Sequence, residues 1–390
     1  MHMKNIIIIA LIVTVSFLSG FYMNDNGSHE NRLKFISEKS RSLTSPKLVN
    51  GDGSYPMRPL EKERVVLKVI QSGVNKLSDF PSVEAGLESN LQLMERLADK
   101  ACATGKKPDF LLFHEFPLTG YSSGTRTEKL TFTVQIPGKE STRLGKIAKA
   151  CDTYLIFGTY ATDPDWPNHI LSINTVINRD GKIVKKFWKS RNIKRLYPDR
   201  EITTTTIEAV RDRYREMYGI EEEFPVLQTE FGNLAVSTVQ FDPFIFAAFA
   251  MRGTEIMLRT ATLYDESDVI DMAYINNFYS AMSNIALPKN PKYEGGRSII
   301  VGPKLEILAQ DPTTDKEGII EAEIPIAEFR RNRKIPNYAL ELVEPVFSQY
   351  KQEIPINHLD MPDDQLPATG AAMKKLFDRI SRYMGKTLPE

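Results

Sequence analysis

Apolar positions along the chain fall into two rhythms. Short, nearly unbroken apolar runs occur at Arg64–Gln71, Phe110–Phe113, Thr153–Gly158 and the start of Gly232–Asp242. Each has strand length and is bounded by polar or turn residues, which predicts buried strands. Between them, Glu84–Ala103 sets Leu87, Leu91, Met94, Leu97, Ala98 and Ala101 at helical spacing, and Ser141–Cys151 reads as a second helix. Ser172–Asn178 and Lys182–Trp188 flank Arg179-Asp180-Gly181, a turn whose Asp-Gly pair suits left-handed backbone, so a hairpin is expected. Residues 191–225 are charged and irregular, with a helix over Glu208–Glu216. Pro243 then opens a helix, Phe244–Met251, which is apolar on every side and is expected to be buried. A strand at Glu255–Leu258, a helix over Ser267–Ala286, a strand at Ser298–Val301 and a strand pair, Leu305–Ala309 with Gly318–Ala322, follow. Alternation of strand and helix twice over predicts a layered α/β sandwich.

The two ends break this pattern. Lys4 precedes the apolar run Ile6–Gly20, near signal-peptide length and short for a membrane span. Residues 1–22 therefore read as a signal peptide or membrane anchor, placing the protein outside the cytoplasm or tethered at a membrane. Residues 23–62 are polar and read as a linker, 63–330 as the folded domain, and 331–390 as a C-terminal arm with a last helix at Ala371–Tyr383. The chain of 390 residues carries 50 basic and 50 acidic side chains, a balance that gives no reason to expect nucleic acid. Five scattered histidines and two cysteines offer no metal-ligand spacing, so no metal and no cofactor are expected. Cys102 and Cys151 fall in or at the end of predicted helices, where packed free thiols are expected rather than nucleophiles.

The candidate chemistry lies at strand ends. Phe110-Leu-Leu-Phe-His-Glu-Phe-Pro-Leu-Thr-Gly-Tyr121 runs a buried strand into one carboxylate, Glu115, just before a Pro/Gly-punctuated turn. The second hairpin strand delivers Lys189 just past two aromatic residues.

With these two placed, the order of elements resembles the nitrilase superfamily of carbon–nitrogen hydrolases. The likeness runs over Arg64–Phe329, through Val69-Ile70-Gln71, Phe113–Tyr121, Asp180–Lys189, Ala250–Ile256, Asn276–Tyr279 and Gly296–Val301. It implies a four-layer αββα sandwich, a homodimer, and a site for a small amide, nitrile or carbamoyl compound. The family's Glu-Lys-Cys triad works by thiol attack on carbon, a carboxylate base and an ammonium that stabilises developing negative charge. By position Glu115 matches the base and Lys189 the lysine. No cysteine stands at the third position. Matching Val239-Gln-Phe-Asp242 to the family's pattern puts Gln240 there, counting forward from Gly232 puts Val239 there, and counting back from the Pro243 helix puts Ser237 there. A further glutamate of many members is replaced here by Ala161 or Thr162.

The resemblance thus implies an amidase-like homologue with a degenerate triad, weakly active or inactive. One alternative is an active exported amidase using Ser237 or a water activated by Glu115. Another is a non-catalytic binding or scaffold protein.

Overall fold

The computed structural model describes residues 47–121, 126–192, 204–239, 241–262, 266–287 and 295–349, and the compact unit begins at Leu48. The predicted N-terminal signal or anchor, the polar stretch up to residue 46, Gln240 and the helix at Ala371–Tyr383 lie outside these residues.

Two sheets form the centre. In the first, β1 (Val65–Gln71) lies between β13 (Gly318–Ile324) and β2 (Phe110–Leu112), followed by β4 (Tyr154–Asp163), β5 (Trp166–Ile177) and β6 (Ile183–Trp188); the short β3 (Val134–Gln135) pairs with β4. In the second the order is β12 (Ile307–Gln310), β11 (Ile299–Val301), β10 (Tyr279–Asn284), β9 (Ile256–Ala261), β8 (Gly232–Ser237) and β7 (Leu227–Thr229). One apolar cluster joins Leu67, Phe110 and Ile156 of the first sheet to Leu234, Leu258 and Ala281 of the second, so the sheets pack face to face.

Helices close the outer faces. On the first sheet lie α1 (Val83–Ala103) and α3 (Lys139–Cys151), whose Leu91, Met94, Leu97, Leu144 and Ala148 pack on Leu111, Phe113 and Phe157. Ser82 caps α1 by accepting the Ala85 N–H. A short helix, α2 (Arg126–Leu130), follows the Glu115 loop. Against the second sheet lie α5 (Pro243–Met251) and α6 (Ser267–Asn276). The insertion after β6 carries α4 (Arg211–Tyr218), whose Tyr214 rests edge-on against Trp188, ring centres 5.2 Å apart. The chain continues into α7 (Ile326–Asn332) and α8 (Leu340–Phe347).

Five expectations need correction. Cys102 and Cys151 are not free thiols: they form a disulfide that ties α1 to α3. The Phe244–Met251 helix is not buried all round; only Phe246, Phe249 and Ala250 are covered, and Phe244 is 60% exposed. The predicted helix over Ser267–Ala286 stops at Asn276, because Asn277 adopts φ +50° and turns the chain into β10. The strands over Leu305–Ala309 and Gly318–Ala322 do not pair with each other; β12 joins β11 and β13 joins β1. Finally, the stretch read as linker is seated on the domain from Leu48. Asn233 donates to Pro56 O (2.8 Å), the Glu61 N–H donates to Glu230 O (2.9 Å), and Lys62 contacts the buried Asp109.

Candidate active site

Glu115 owes its position to the end of β2. Phe113 and His114 extend the ladder beyond Leu112: the Phe113 N–H donates to Ile156 O (2.8 Å) and the Gly158 N–H to His114 O (3.1 Å). The chain passes so close to β4 that a Cβ at Gly158 would fall 2.3 Å from the Glu115 carbonyl oxygen. Only glycine fits there. The His114 ring is fully buried. Its Nδ1 accepts the Phe116 N–H (3.3 Å), which leaves Nε2 to donate to Ser72 Oγ at 3.0 Å. Burial pushes the imidazole far below its ordinary range, to about 3, against a weaker raising effect from the Gly73 backbone. A neutral ring thus braces the turn on both sides of Glu115.

Lys189 arrives from the other side of the first sheet. It follows β6, its N–H donates to Ser172 O (3.0 Å), and its carbonyl accepts the Ile207 N–H (3.1 Å). Its Nζ lies 3.3 Å from Glu115 Oε1. The second carboxylate oxygen accepts the Thr262 hydroxyl at 2.9 Å, from just past the end of β9 in the facing sheet. The Glu115 side chain is 3% exposed and that of Lys189 19%, so solvent reaches the pair from the ammonium side. Each charge offsets the desolvation cost of the other.

The segment predicted to hold the third member is shaped by a buried ion pair. In the parallel β8–β9 ladder, Ser237 stands beside Arg259. Arg259 points into the helix layer, its guanidinium 4.2 Å from the centre of the Phe246 ring and paired with Asp268 of α6. Neighbours in a parallel ladder share a face. Ser237 is therefore directed away from Glu115, and its Oγ accepts the Val239 N–H (3.1 Å). Val239, on the same alternation, is 2% exposed and its carbonyl accepts from Arg259 (2.9 Å). The Phe241 N–H donates to Asp268 Oδ2 at 3.2 Å, with Phe241 at φ +50°. Thus Arg259 and Asp268 grip the backbone on either side of residue 240. Asp242 caps α5 and meets Arg191 at 3.0 Å, which links this turn to the segment just after Lys189. Arg191 also approaches Glu208, 3.6 Å away; burial raises the Glu208 pKa, Arg191 opposes this, and Asp242 adds to it.

The structure thus brings Glu115 and Lys189 together, and it directs Ser237 and Val239 elsewhere. Gln240 lies outside the described residues. Ala161 packs in the cluster under α1 and α3, away from the pair. Sequence reasoning missed Thr262, which follows a strand predicted to stop at Leu258. It also missed Asn174, whose Oδ1 accepts the Thr260 hydroxyl (2.8 Å) across the two sheets. Among the described residues no cluster of side chains could hold a metal ion.

A family model, carbon-nitrogen hydrolase, matches residues 77–334. The chain is a member of the carbon–nitrogen hydrolase family. Solved structures agree in fold. An amidase of the nitrilase superfamily from Nesterenkonia AN1, as a cysteine-to-alanine mutant, matches with 18% identity and a TM-score of 0.55, covering 72% of this chain and 97% of that one. A double mutant of the Nesterenkonia sp. AN1 amidase, in complex with acrylamide, matches with 19% identity and a TM-score of 0.55, covering 75% and 100%. A third form of that amidase shows covalent addition of the acetamide moiety of fluoroacetamide at its active site cysteine; it is 19% identical, with a TM-score of 0.53, and covers 77% and 99%. No curated protein matches the chain.

Proposed function

We propose that this carbon–nitrogen hydrolase homologue binds a small amide, nitrile or carbamoyl compound beside Glu115 and Lys189, with a degenerate triad that leaves it weakly active or inactive. The observation that carries this reading is the enclosed 3.3 Å contact between Lys189 Nζ and Glu115 Oε1 in a chain whose two cysteines are both consumed in a disulfide. A carboxylate and an ammonium so placed suit an amide: the carboxylate accepts its N–H and the ammonium donates to its carbonyl oxygen. Residue 240 takes the nucleophile position in this reading, and a glutamine amide nitrogen is not a nucleophile.

Turnover by water is the second reading, favoured by the Thr262 hydrogen bond that holds Glu115 oriented. There Glu115 takes a proton from water, the resulting hydroxide attacks the amide carbon, Lys189 stabilises the oxyanion, and the proton passes to the departing ammonia. Export fits a helix-to-helix disulfide, which persists in oxidising compartments. A homodimer fits the apolar side chains left open on α5, α6 and α8, with Phe244 60%, Tyr274 56% and Val346 67% exposed.

The test is ammonia release from acetamide, acrylamide and butyramide by the full-length wild type, Gln240→Cys, and Gln240→Cys with Glu115→Gln. The expected result is little or no wild-type turnover, a gain of about 100-fold or more with the thiol, and its loss without the base. Efficient wild-type turnover that persists in Glu115→Gln would overturn the assignment.

A further inference from the structure

Three buried side-chain atoms on the inner faces of the two sheets have no hydrogen-bond partner: Ser172 Oγ, Asn174 Nδ2 and Thr238 Oγ1. Their residues are 2%, 0% and 3% exposed. Strand register places each of them around the charge pair. Ser172 accepts the Lys189 N–H, so it stands opposite Lys189 across the β5–β6 ladder, with the two side chains on one face. Asn174 is the next residue of that face, opposite Phe187 on one side and Gly158, the glycine under Glu115, on the other. Thr238 follows Ser237 and so points to the opposite side of the second sheet, the side of Thr260 and Thr262. Those two threonines reach across to Asn174 and Glu115.

Shielded polar atoms without partners cost free energy, and a protein that keeps three around one charge pair has a use for them. We propose that Ser172, Asn174 and Thr238 form a polar ledge that recognises the acyl side of the ligand, selecting short primary amides with a hydroxyl or carbonyl on the carbon next to the amide. This rests on the amide-binding reading above. With the amide nitrogen at Glu115 and the amide oxygen at Lys189, the ledge meets the neighbouring carbon. The two hydroxyls can donate or accept and the Asn174 amide donates, which matches a hydroxyl or carbonyl and leaves a methyl group uncompensated.

Glycolamide and propionamide differ only in a hydroxyl against a methyl, so isothermal titration of the full-length chain with each separates the possibilities. Glycolamide should bind at least about tenfold more tightly. In the Ser172→Ala/Thr238→Val double variant the preference should vanish, propionamide binding should hold, and the melting temperature should not fall, since two unpartnered hydroxyls have been removed. Equal binding of the two amides by the wild type, or tighter propionamide binding, overturns the ledge and leaves the amide site standing. Binding of neither amide removes the amide site itself, and the ledge with it. A double variant that melts lower and keeps the tenfold preference shows the hydroxyls to be structural, which also overturns the proposal.

Discussion

The disulfide between Cys102 and Cys151 should be a major source of stability, and its contribution can be worked from its place in the chain. It bridges 49 positions, and its Cα atoms are 5.8 Å apart. It joins the last turn of α1 to the last residue of α3, and both helices pack on the same face of the first sheet. Cross-linking a loop of that length removes about 14 cal/mol/K of unfolded-state entropy, or about 4 kcal/mol at 25 °C. At about 2 °C per kcal/mol for a domain of this size, the reduced protein should melt roughly 8 °C lower. Cys102→Ser/Cys151→Ser should melt at the temperature of the reduced wild type, because both lose the same constraint. Differential scanning fluorimetry with and without reductant measures both quantities. A double variant within 2 °C of the oxidised wild type would refute the loop-entropy argument. So would two titratable free thiols in protein recovered from an oxidising compartment.

Two further outcomes follow from the charge pair and its brace. Lys189→Met leaves an enclosed carboxylate with, among the described residues, only Thr262 as partner, and should cost about 3 kcal/mol by urea denaturation; adding Glu115→Gln should restore part of the loss. A Lys189→Met variant within 0.5 kcal/mol of wild type would show that solvent already neutralises Glu115. For His114 the folded pKa is depressed to about 3 from an ordinary 6.5, so the unfolded chain binds the extra proton first. Its contribution is complete above pH 6.5 and is lost as pH falls toward 3, by up to about 1.4 kcal/mol per pH unit. Urea midpoints from pH 7 to 4 should therefore fall less steeply in His114→Gln, and parallel slopes would contradict the buried neutral ring.

The parts of this fold that were legible in the sequence share a physical property: their signal is local. Glu115 follows an apolar run that ends at a turn, Lys189 follows two aromatic residues at the end of a strand, and the Asp180-Gly181 turn fixes the hairpin that carries Lys189. The sandwich follows from alternating periodicities. What escaped depends on partners far away in the chain. β10 consists of Tyr279-Ser-Ala-Met-Ser-Asn284, in which Ser280, Ala281, Ser283 and Asn284 have little strand propensity, and it is a strand because β9 and β11 pair with it on both sides. The direction of Ser237 becomes readable only once its register against Arg259 is known. The pairing of Cys102 with Cys151 requires α1 and α3 to lie on one face, which neither helix declares alone. Likewise, the apolar circumference of α5 suggested full burial, yet the domain covers only the side that carries Phe246, Phe249 and Ala250.

Strand β1 sets a lower limit on what can be cut away. The span matched by the family model begins at residue 77, after β1 has ended, although Val69-Ile70-Gln71 of β1 already belongs to the likeness read in the sequence. Yet every residue of β1 is buried, and among the described residues it is the only strand hydrogen-bonded to β13. A gene fragment trimmed to the recognisable family segment would strand β13 from its sheet and open the row of backbone groups on β2 to water. The span that the family model matches is therefore shorter than the sheet it has to complete.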